Sequence, residues 1–186
     1  MDLLSRLDLP VILELTSSAA RQDTRFVLLL GVTGDRCRVL LGHEREVPTR
    51  EITEHWLGKA HLFWKDFDNV GFLLTLGSVG QNVKRLHTLL SKVQGPSDGR
   101  FLPARPDTFG RQTEAVVARF QKAKRLPSDG VVGPLTLVLL YNSLTDYFHP
   151  SLGTMDNPPI VENPGSAGRA AQGKSARKTL LVKERT

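Results

Sequence analysis

The chain has 186 residues, of which 40% are hydrophobic and 24% are charged, and its formal net charge is +6. This length is enough for one ordinary domain or two small ones. Its single cysteine, Cys37, excludes an intramolecular disulfide and a cysteine-rich zinc site. Every apolar run is also far shorter than the ~20 residues that a transmembrane helix needs.

Charge and sequence pattern both divide the chain. Residues 1–66 carry 9 basic and 10 acidic side chains, residues 67–150 carry 10 and 6, and residues 151–186 carry 6 and 3. The pattern changes near residue 70 from strand-like runs to helical periodicity. We therefore predict a β-rich domain over 1–70, a helical domain over 71–148 and a basic tail over 149–186.

The N-terminus does not have the pattern of a signal peptide. Asp2 and Asp8 interrupt the positions where a basic region and an unbroken apolar region are needed. If the protein works outside the cytoplasm, we expect its targeting segment to lie outside this chain.

The first half contains four predicted strands and one predicted helix. Runs rich in Val, Ile and Leu predict strands over 10–15, 25–32 and 36–41, with a hairpin turn at 33–35. A helix is predicted from Thr49, whose side chain can cap the first turn, through Trp56 to an end at Gly58. Residues 61–65 predict the last strand. The expected order is three strands, one helix and one strand.

The second half contains a short pattern in two copies. Residues 107–113 (DTFGRQT) and 129–136 (DGVVGPLT) each predict a tight glycine turn that leads into a helix, and residues 74–90 predict a third such unit. Apolar residues three and four positions apart give each helix one buried face. The predicted core residues are Val83, Leu86, Leu90, Val116, Phe120, Leu137 and Leu140.

These glycine turns and helices resemble the three-helix peptidoglycan-binding domains that are attached to bacterial cell-wall hydrolases. The resemblance covers residues 74–144 and implies a three-helix bundle that binds the cell wall. The chain departs from the family pattern at His87, where glutamine is usual, and in residues 94–106, where the loop is longer than usual.

The first half is similar to the C-terminal half of a papain-like peptidase domain of the bacteriocin-processing type. The resemblance is carried by residues 25–31 (RFVLLLG), Gly34-Asp35 and residues 56–64 (WLGKAHLFW). It implies a degenerate domain without activity, because Arg25 occupies the position of the catalytic histidine and Leu41-Gly42 that of an Asp-Pro-like pair. Cys37 lies in the wrong strand to be the nucleophile, so we expect no enzyme activity.

The two halves together are similar to the periplasmic end of the general secretion pathway A proteins, which carry an ATPase and a membrane helix upstream. The fold class predicted for the whole chain is α+β. The resemblance implies a periplasmic or envelope location, with peptidoglycan and subunits of a type II secretion apparatus as partners, and self-association as a further property.

The predicted ligand site lies at the starts of two helices. Glycine turns at 109–110 and 132–133 place backbone N–H groups there, and these donors with the positive helix dipole favour a carboxylate or acetamido oxygen. For Arg111, Gln112 and Arg119, ligand contact and plain solvated surface stay open as alternatives. Asp107 and Asp129 are expected to cap the turns, with Thr113 and Thr136 inside. The predicted site residues are Phe109, Gly110, Arg111, Gln112, Arg119, Gly133 and Tyr141.

Other functions have less support in the sequence. The five histidines lack metal-binding spacing and no phosphate-binding glycine loop is present, so no metal or cofactor is expected. A nucleic-acid partner is not expected, because aromatics are few and no helix carries clustered basic residues. The main alternative is a targeting fragment of a cell-wall hydrolase.

The basic tail, residues 149–186, is predicted to be disordered, or to act as an electrostatic arm for an anionic polymer.

Overall fold

The computed structural model describes residues 1–16, 24–94, 101, 103–153 and 177–183. The chain forms two compact units. Unit 1 comprises residues 1–64, 149–174 and 178–186, and unit 2 comprises residues 65–148 and 175–177. The predicted boundary at residue 70 therefore falls inside unit 2. The α+β class predicted from the sequence is confirmed, because strands dominate unit 1 and helices dominate unit 2.

Unit 1 is built on an antiparallel sheet. Its elements are α1 (Asp2–Leu7), β1 (Val11–Thr16), β2 (Thr24–Thr33), β3 (Arg36–Leu41), β4 (His43–Pro48), α2 (Thr49–His55) and β5 (Trp56–Lys65). The strand order is β4-β3-β2-β1-β5-β6, where β6 is Arg177–Lys183. The β1–β2 register pairs Val11 with Leu29 and Leu13 with Val27, so apolar side chains of neighbouring strands share one buried face.

Three elements of unit 1 differ from the sequence prediction. The short helix α1 and the strand β4 were not predicted, since β4 is mostly charged and buries only Val47. Charged side chains are typical of an edge strand, where they prevent pairing with other chains. The last strand begins at Trp56 rather than 61, and Gly58 lies inside it with φ +71° instead of ending the helix.

Thr49 begins α2 as predicted, but it does not cap the helix. Pro48 is the N-cap residue and makes no capping hydrogen bond. The Thr49 backbone N–H donates to Asp35 O at 2.6 Å, and the Thr49 hydroxyl lies 3.5 Å from Gly34 O and 3.4 Å from Cys37 Sγ. The threonine therefore ties the start of α2 to the β2–β3 hairpin instead of closing the first helical turn.

The segment after unit 2 returns to unit 1. Gly153 forms a parallel bridge with Gly31, and the Leu152 N–H donates to the Asp8 carboxylate at 3.0 Å. A Cβ atom at position 31 would overlap Gly153 O, so the close approach requires glycine there.

Two parts of the predicted disordered tail are ordered, namely residues 149–153 and β6. Residues 154–176 and 184–186 of that tail lie outside the described residues. The run Thr-Leu-Leu-Val at 179–182 favours a strand beside β5.

Unit 2 contains the three predicted helices: α3 (Gln81–Gln94), α4 (Arg111–Ala123) and α5 (Pro134–Asn142). Every residue of α5 from Thr136 to Tyr141 is buried. A helix that is buried on all sides lies inside its unit, whereas α3 and α4 each bury one face. Helix α3 packs against both α4 and α5.

The segment that leads into unit 2 is fastened to α5 by a buried carboxylate. Asp66 is 2% exposed and accepts hydrogen bonds from the Tyr141 hydroxyl at 2.8 Å, the Val70 N–H at 3.0 Å and the Gly71 N–H at 2.8 Å. Nearby, the Tyr147 hydroxyl donates to Asp68 at 2.6 Å. These bonds explain why unit 2 begins at residue 65 rather than 71.

The predicted core of unit 2 is correct except at one residue. Val83, Leu86, Leu90, Val116, Leu137 and Leu140 are buried, whereas Phe120 is only half-buried and has the Lys124 ammonium 5.8 Å from its ring centre. The phenylalanine that is fully buried is Phe109, in the turn before α4. Phe120 is therefore a border residue rather than a core residue.

We expect Leu86→Ala to destabilise unit 2 by about 2–5 kcal/mol, because Leu86 is fully buried and its truncation leaves a cavity. Phe120→Ala should cost clearly less, since its ring is already in contact with water. Amide hydrogen exchange within α3, α4 and α5 measures both losses. Equal losses for the two variants would contradict this description of the core.

Candidate functional site

The starts of the three helices of unit 2 are preceded by turns that are bonded to one another. We call residues 74–80, 107–110 and 129–133 the three leading turns. Gly77 and Gly80 donate backbone hydrogen bonds to Phe109 O (2.9 Å) and Asp107 O (2.8 Å), and the Phe109 N–H donates to Ser78 O (2.8 Å). Leu74 and Val132 exchange two backbone bonds of 3.1 and 2.9 Å. The first turn therefore fixes the positions of the other two.

The glycines of these turns have different roles. Gly77 and Gly80 have φ values of +89° and +116°, and Gly130 has +72°, which is a region that L-residues with side chains rarely adopt. Gly110 and Gly133 are the N-cap residues of α4 and α5, and both have ordinary extended backbone. The prediction that tight glycine turns lead into the helices is thus accurate for position. Of the glycines with positive φ, Gly80 lies immediately before α3, while Gly77 and Gly130 lie three residues or more from the start of the next helix.

Two buried polar side chains hold the second and third leading turns shut from inside. The His87 ring, on α3, lies 2.8 Å from Pro106 O through Nδ1 and 2.9 Å from Thr113 Oγ1 through Nε2. Since a carbonyl oxygen only accepts, Nδ1 carries a proton. Burial lowers the pKa of His87 and so favours the neutral ring, in which Nε2 accepts from the Thr113 hydroxyl.

Gln121, on α4, does the same for the third leading turn. Its amide nitrogen donates to Asp129 Oδ1 and Val131 O, both at 2.8 Å, and lies 3.2 Å from Thr136 Oγ1; its amide oxygen accepts from the Gly130 N–H at 2.9 Å. The buried positions predicted for Thr113 and Thr136 are confirmed. His87 and Gln121 thus have equivalent roles in the repeated pattern, since each bonds the turn that leads into the next helix; we call these two side chains the buried braces.

The two aspartates of the pattern differ in their contacts. Asp129 Oδ1 also accepts from the Val131 N–H at 2.9 Å, so this carboxylate closes its own turn as predicted. The Asp107 carboxylate instead accepts from the Thr108 hydroxyl at 3.2 Å and does not cap α4. The N-cap residue of α4, Gly110, makes no side-chain capping bond. The first-turn N–H groups of α4 are consequently left for solvent or a ligand.

A cleft of about 240 Å³ opens at this end of α4. Gly110, Arg111 and Gln112 line it together with Arg105, Thr108 and Thr113. Arg111, Gln112 and Arg105 are exposed, and a Cβ atom added at Gly110 would meet nothing within 4 Å. Two guanidinium groups and the positive end of the helix dipole make the cleft suited to an anionic or strongly accepting group. Glu114, in the first turn of α4, opposes this charge in part.

Three of the seven predicted site residues thus lie together, and the other four lie elsewhere. Arg119 is exposed further along α4, and Gly133 begins α5; neither lines the cleft. The Phe109 ring is fully buried and its N–H is bonded to Ser78 O, so this residue is structural. Tyr141 is 2% exposed with its hydroxyl bonded to Asp66, which corrects the prediction that it offers an aromatic edge.

Sequence reasoning missed Arg105, which lies in the long loop before the second leading turn. Its backbone oxygen accepts from the Thr108 N–H at 3.2 Å, so the local turn brings the arginine back to the start of α4. In the sequence, Arg105 lies only two residues before Asp107, the first residue of the second leading turn. Because Arg105 is in a loop, the sequence alone gave no reason to place it beside Arg111.

Within the described part of unit 1, the side-chain hydrogen-bond partner of Cys37 is the Thr49 hydroxyl and not an imidazole. Cys37 is fully buried, and burial raises the pKa of its thiol. Arg25 lies seven residues along β2 from Val32, the partner of Cys37, which corresponds to about 23 Å. Within the residues that the structure describes, no cluster of three or more His, Cys, Asp or Glu side chains is arranged to hold a metal.

Comparison with known proteins agrees with this description of unit 2. Residues 79–140 match the family model described as "Putative peptidoglycan binding domain", from the first leading turn to the middle of α5. This segment is therefore similar to that family, and it includes the whole cleft.

One solved structure is similar to the chain at a low level. It is the crystal structure of a periplasmic domain of the EpsAB fusion protein of the Vibrio vulnificus type II secretion system, with 22% identity and a TM-score of 0.44. The match covers 77% of this chain and 60% of that chain, so this protein spans less than two thirds of its neighbour. No curated protein sequence matches the chain significantly.

The neutral His87 gives unit 2 a predictable response to acid. Burial lowers the pKa of His87 below its ordinary value, and the hydrogen bond to Pro106 O opposes this only in part. The folded state therefore binds fewer protons than the unfolded state, and stability is lost as the pH falls below about 6.5 towards the folded pKa. We expect His87→Gln to remove this loss, since an amide can also donate to Pro106 O and accept from Thr113.

Thermal melts of the full chain at pH 7.5 and 5.0, followed at the transition of unit 2, measure the effect. His55→Gln, at an exposed position of α2, is the matched control and should keep the acid sensitivity of the natural protein. An unchanged difference between the two pH values in His87→Gln would show that other groups cause it.

Proposed function

We propose that this protein binds peptidoglycan without cleaving it, through the cleft at the start of α4. The observation that carries the proposal is the position of this cationic cleft inside the segment that matches the peptidoglycan-binding family. The cleft is formed by backbone and side chains that the three leading turns hold in place, so its geometry is set before a ligand arrives.

The chemistry of the cleft fits the groups that peptidoglycan exposes. Its stem peptides end in carboxylates, and its glycan carries acetamido and hydroxyl groups. Arg105 and Arg111 would pair with a carboxylate, and Gln112 would exchange hydrogen bonds with an acetamido group. The free N–H groups of the first helical turn would donate hydrogen bonds to an oxygen of either kind. Gly110 leaves room for the ligand to approach these donors.

A role without catalysis is consistent with the composition of both units. The cleft of unit 2 is lined by arginine, glutamine, threonine and small residues, with no carboxylate or imidazole at its wall to act as a general base. In unit 1 the cysteine is buried with a raised pKa, and arginine occupies the position at which the resembled peptidases have histidine. Arginine does not give up its proton at neutral pH.

We further propose that wall binding helps to anchor or assemble an envelope complex such as a type II secretion system, in the periplasm. This part rests on the resemblance of the two halves to the general secretion pathway A proteins. Other secretion subunits and further copies of the chain would then be partners. No helix in the described parts of the chain has the length and apolar character to cross a membrane.

We expect the double variant Arg105→Gln, Arg111→Gln to bind purified sacculi at least about tenfold more weakly, because each charge-assisted bond contributes more than a neutral one. Co-sedimentation with sacculi over a range of wall concentrations measures this affinity. The double variant Lys84→Gln, Lys122→Gln removes the same two charges at exposed positions that do not line the cleft, so it is the matched control and should bind normally. A loss of equal size in the control would indicate a general charge effect rather than a site.

The absence of cleavage is tested on the same material. Purified protein incubated with labelled sacculi should release no soluble muropeptides, because neither unit presents a nucleophile or base in a suitable position. Lysozyme provides the positive control for the substrate. Release of soluble fragments above the buffer blank would support a hydrolase instead.

A further inference from the structure

Unit 1 has a cleft of its own, larger than the one in unit 2. Its volume is about 330 Å³, and it lies between α2 and the ends of the first four strands. Val27, Val39, Val47 and Ile52 form an apolar floor, and all four are buried. Clefts of this size and apolar character are typical of sites for small molecules and short peptide segments.

Two arginines stand on opposite sides of this floor. Arg25 is on β2 and Arg45 is on β4, with β3 between them, and both are exposed residues that line the cleft. The register pairs Leu28 with Leu40 and Leu29 with Val39, so Arg25 lies four residues, or about 13 Å, along the sheet from the level of Val39 and Arg45. With two strand spacings of about 4.8 Å, the two backbone positions are about 16 Å apart. Long guanidinium side chains from both strands can therefore reach one group held midway between them, above Leu41, which also lines the cleft.

The charge of these two arginines is uncompensated. Three other arginines of unit 1 have glutamate partners: Arg36 with Glu46 (3.2 Å), Arg38 with Glu44 (3.4 Å) and Arg50 with Glu54 (2.7 Å). Neither the Arg25 nor the Arg45 guanidinium has an ion pair or hydrogen bond with any residue in the described parts of the chain. Glu51 and His55 of α2 also line the cleft, so α2 contributes one acid against two cations.

We propose that this cleft binds the C-terminal end of a peptide whose last residues are apolar. The terminal carboxylate lies between the guanidinium groups of Arg25 and Arg45, and the last side chain lies on the valine and isoleucine floor. Two guanidinium groups against the one carboxylate of Glu51 disfavour a cationic ligand, and the four buried apolar side chains favour an apolar last residue. This site is separate from the wall-binding cleft and does not depend on that function.

The test uses the full chain and three synthetic probes. They are acetyl-Leu-Leu with a free carboxylate, the same peptide with a C-terminal amide, and acetyl-Gly-Gly with a free carboxylate. Nuclear magnetic resonance titration follows the backbone amides of Val27, Val39 and Ile52. We expect saturable shifts with the leucyl acid, and affinities at least about tenfold lower for the leucyl amide and the glycyl acid.

Substitutions assign the site. Arg25→Gln and Arg45→Gln should each weaken binding of the leucyl acid by about tenfold or more, without a change in circular dichroism, because both residues are exposed. Arg36→Gln is the matched control, since that guanidinium is already paired with Glu46. Equal binding of acid and amide, equal binding of glycyl and leucyl acids, absence of saturable shifts, or normal binding by both arginine variants would each overturn the proposal. Sacculus binding is unaffected by any of these outcomes.

Discussion

The backbone bonds between the three leading turns are the constraint on which unit 2 depends. The first turn donates to the second through Gly77 and Gly80, accepts from it at Ser78, and pairs with the third through Leu74 and Val132. These segments are short, and each buries one apolar side chain: Leu74, Phe109 and Val132, respectively. Their mutual hydrogen bonds compensate the polar backbone groups that burial would otherwise leave unpaired. The helices then start from neighbouring points, and their apolar faces meet around α5.

The buried braces add specificity to this arrangement. A polar side chain inside a small core is costly unless all its hydrogen-bonding groups have partners, and both His87 and Gln121 meet that condition. Each reaches from one helix to the turn that leads into the next. Helix packing and turn geometry are therefore coupled, and the cleft at the start of α4 inherits its shape from His87 and Thr113 beneath it.

Much of unit 2 could be predicted from the sequence because its signals are local. Glycine before a helix, threonine three positions later and an aspartate ahead of the turn predicted where the helices begin, and Thr113 and Thr136 were correctly placed inside. Tyr141 was misassigned because burial on all sides of α5 depends on its neighbours rather than on its own periodicity. Arg105 was missed because it lies in an irregular loop, where the turn closed by the Thr108 N–H and Arg105 O has no helical or strand periodicity to mark it.

In unit 1, the elements that the sequence did not predict lie mainly at the edges of the sheet. Strands with alternating or continuous apolar residues were found, whereas β4 has only Val47 to mark it and takes its structure from pairing with β3. The strand β6 beside β5 and the bridge of Gly153 to Gly31 likewise depend on partners distant in sequence. Local propensity gives little information about such segments, because their stability comes from the strand they join.

The conformation of Gly110 has a consequence for how such domains can diversify. Its φ of −92° is a value that residues with side chains adopt readily, and a Cβ atom at this position would have no neighbour within 4 Å. The fold therefore does not require glycine at this position, in contrast to Gly77 and Gly80. Under the proposed wall-binding function, a substitution there would change the shape of the cleft while leaving the architecture of unit 2 intact, which makes residue 110 a natural starting point for engineering altered recognition.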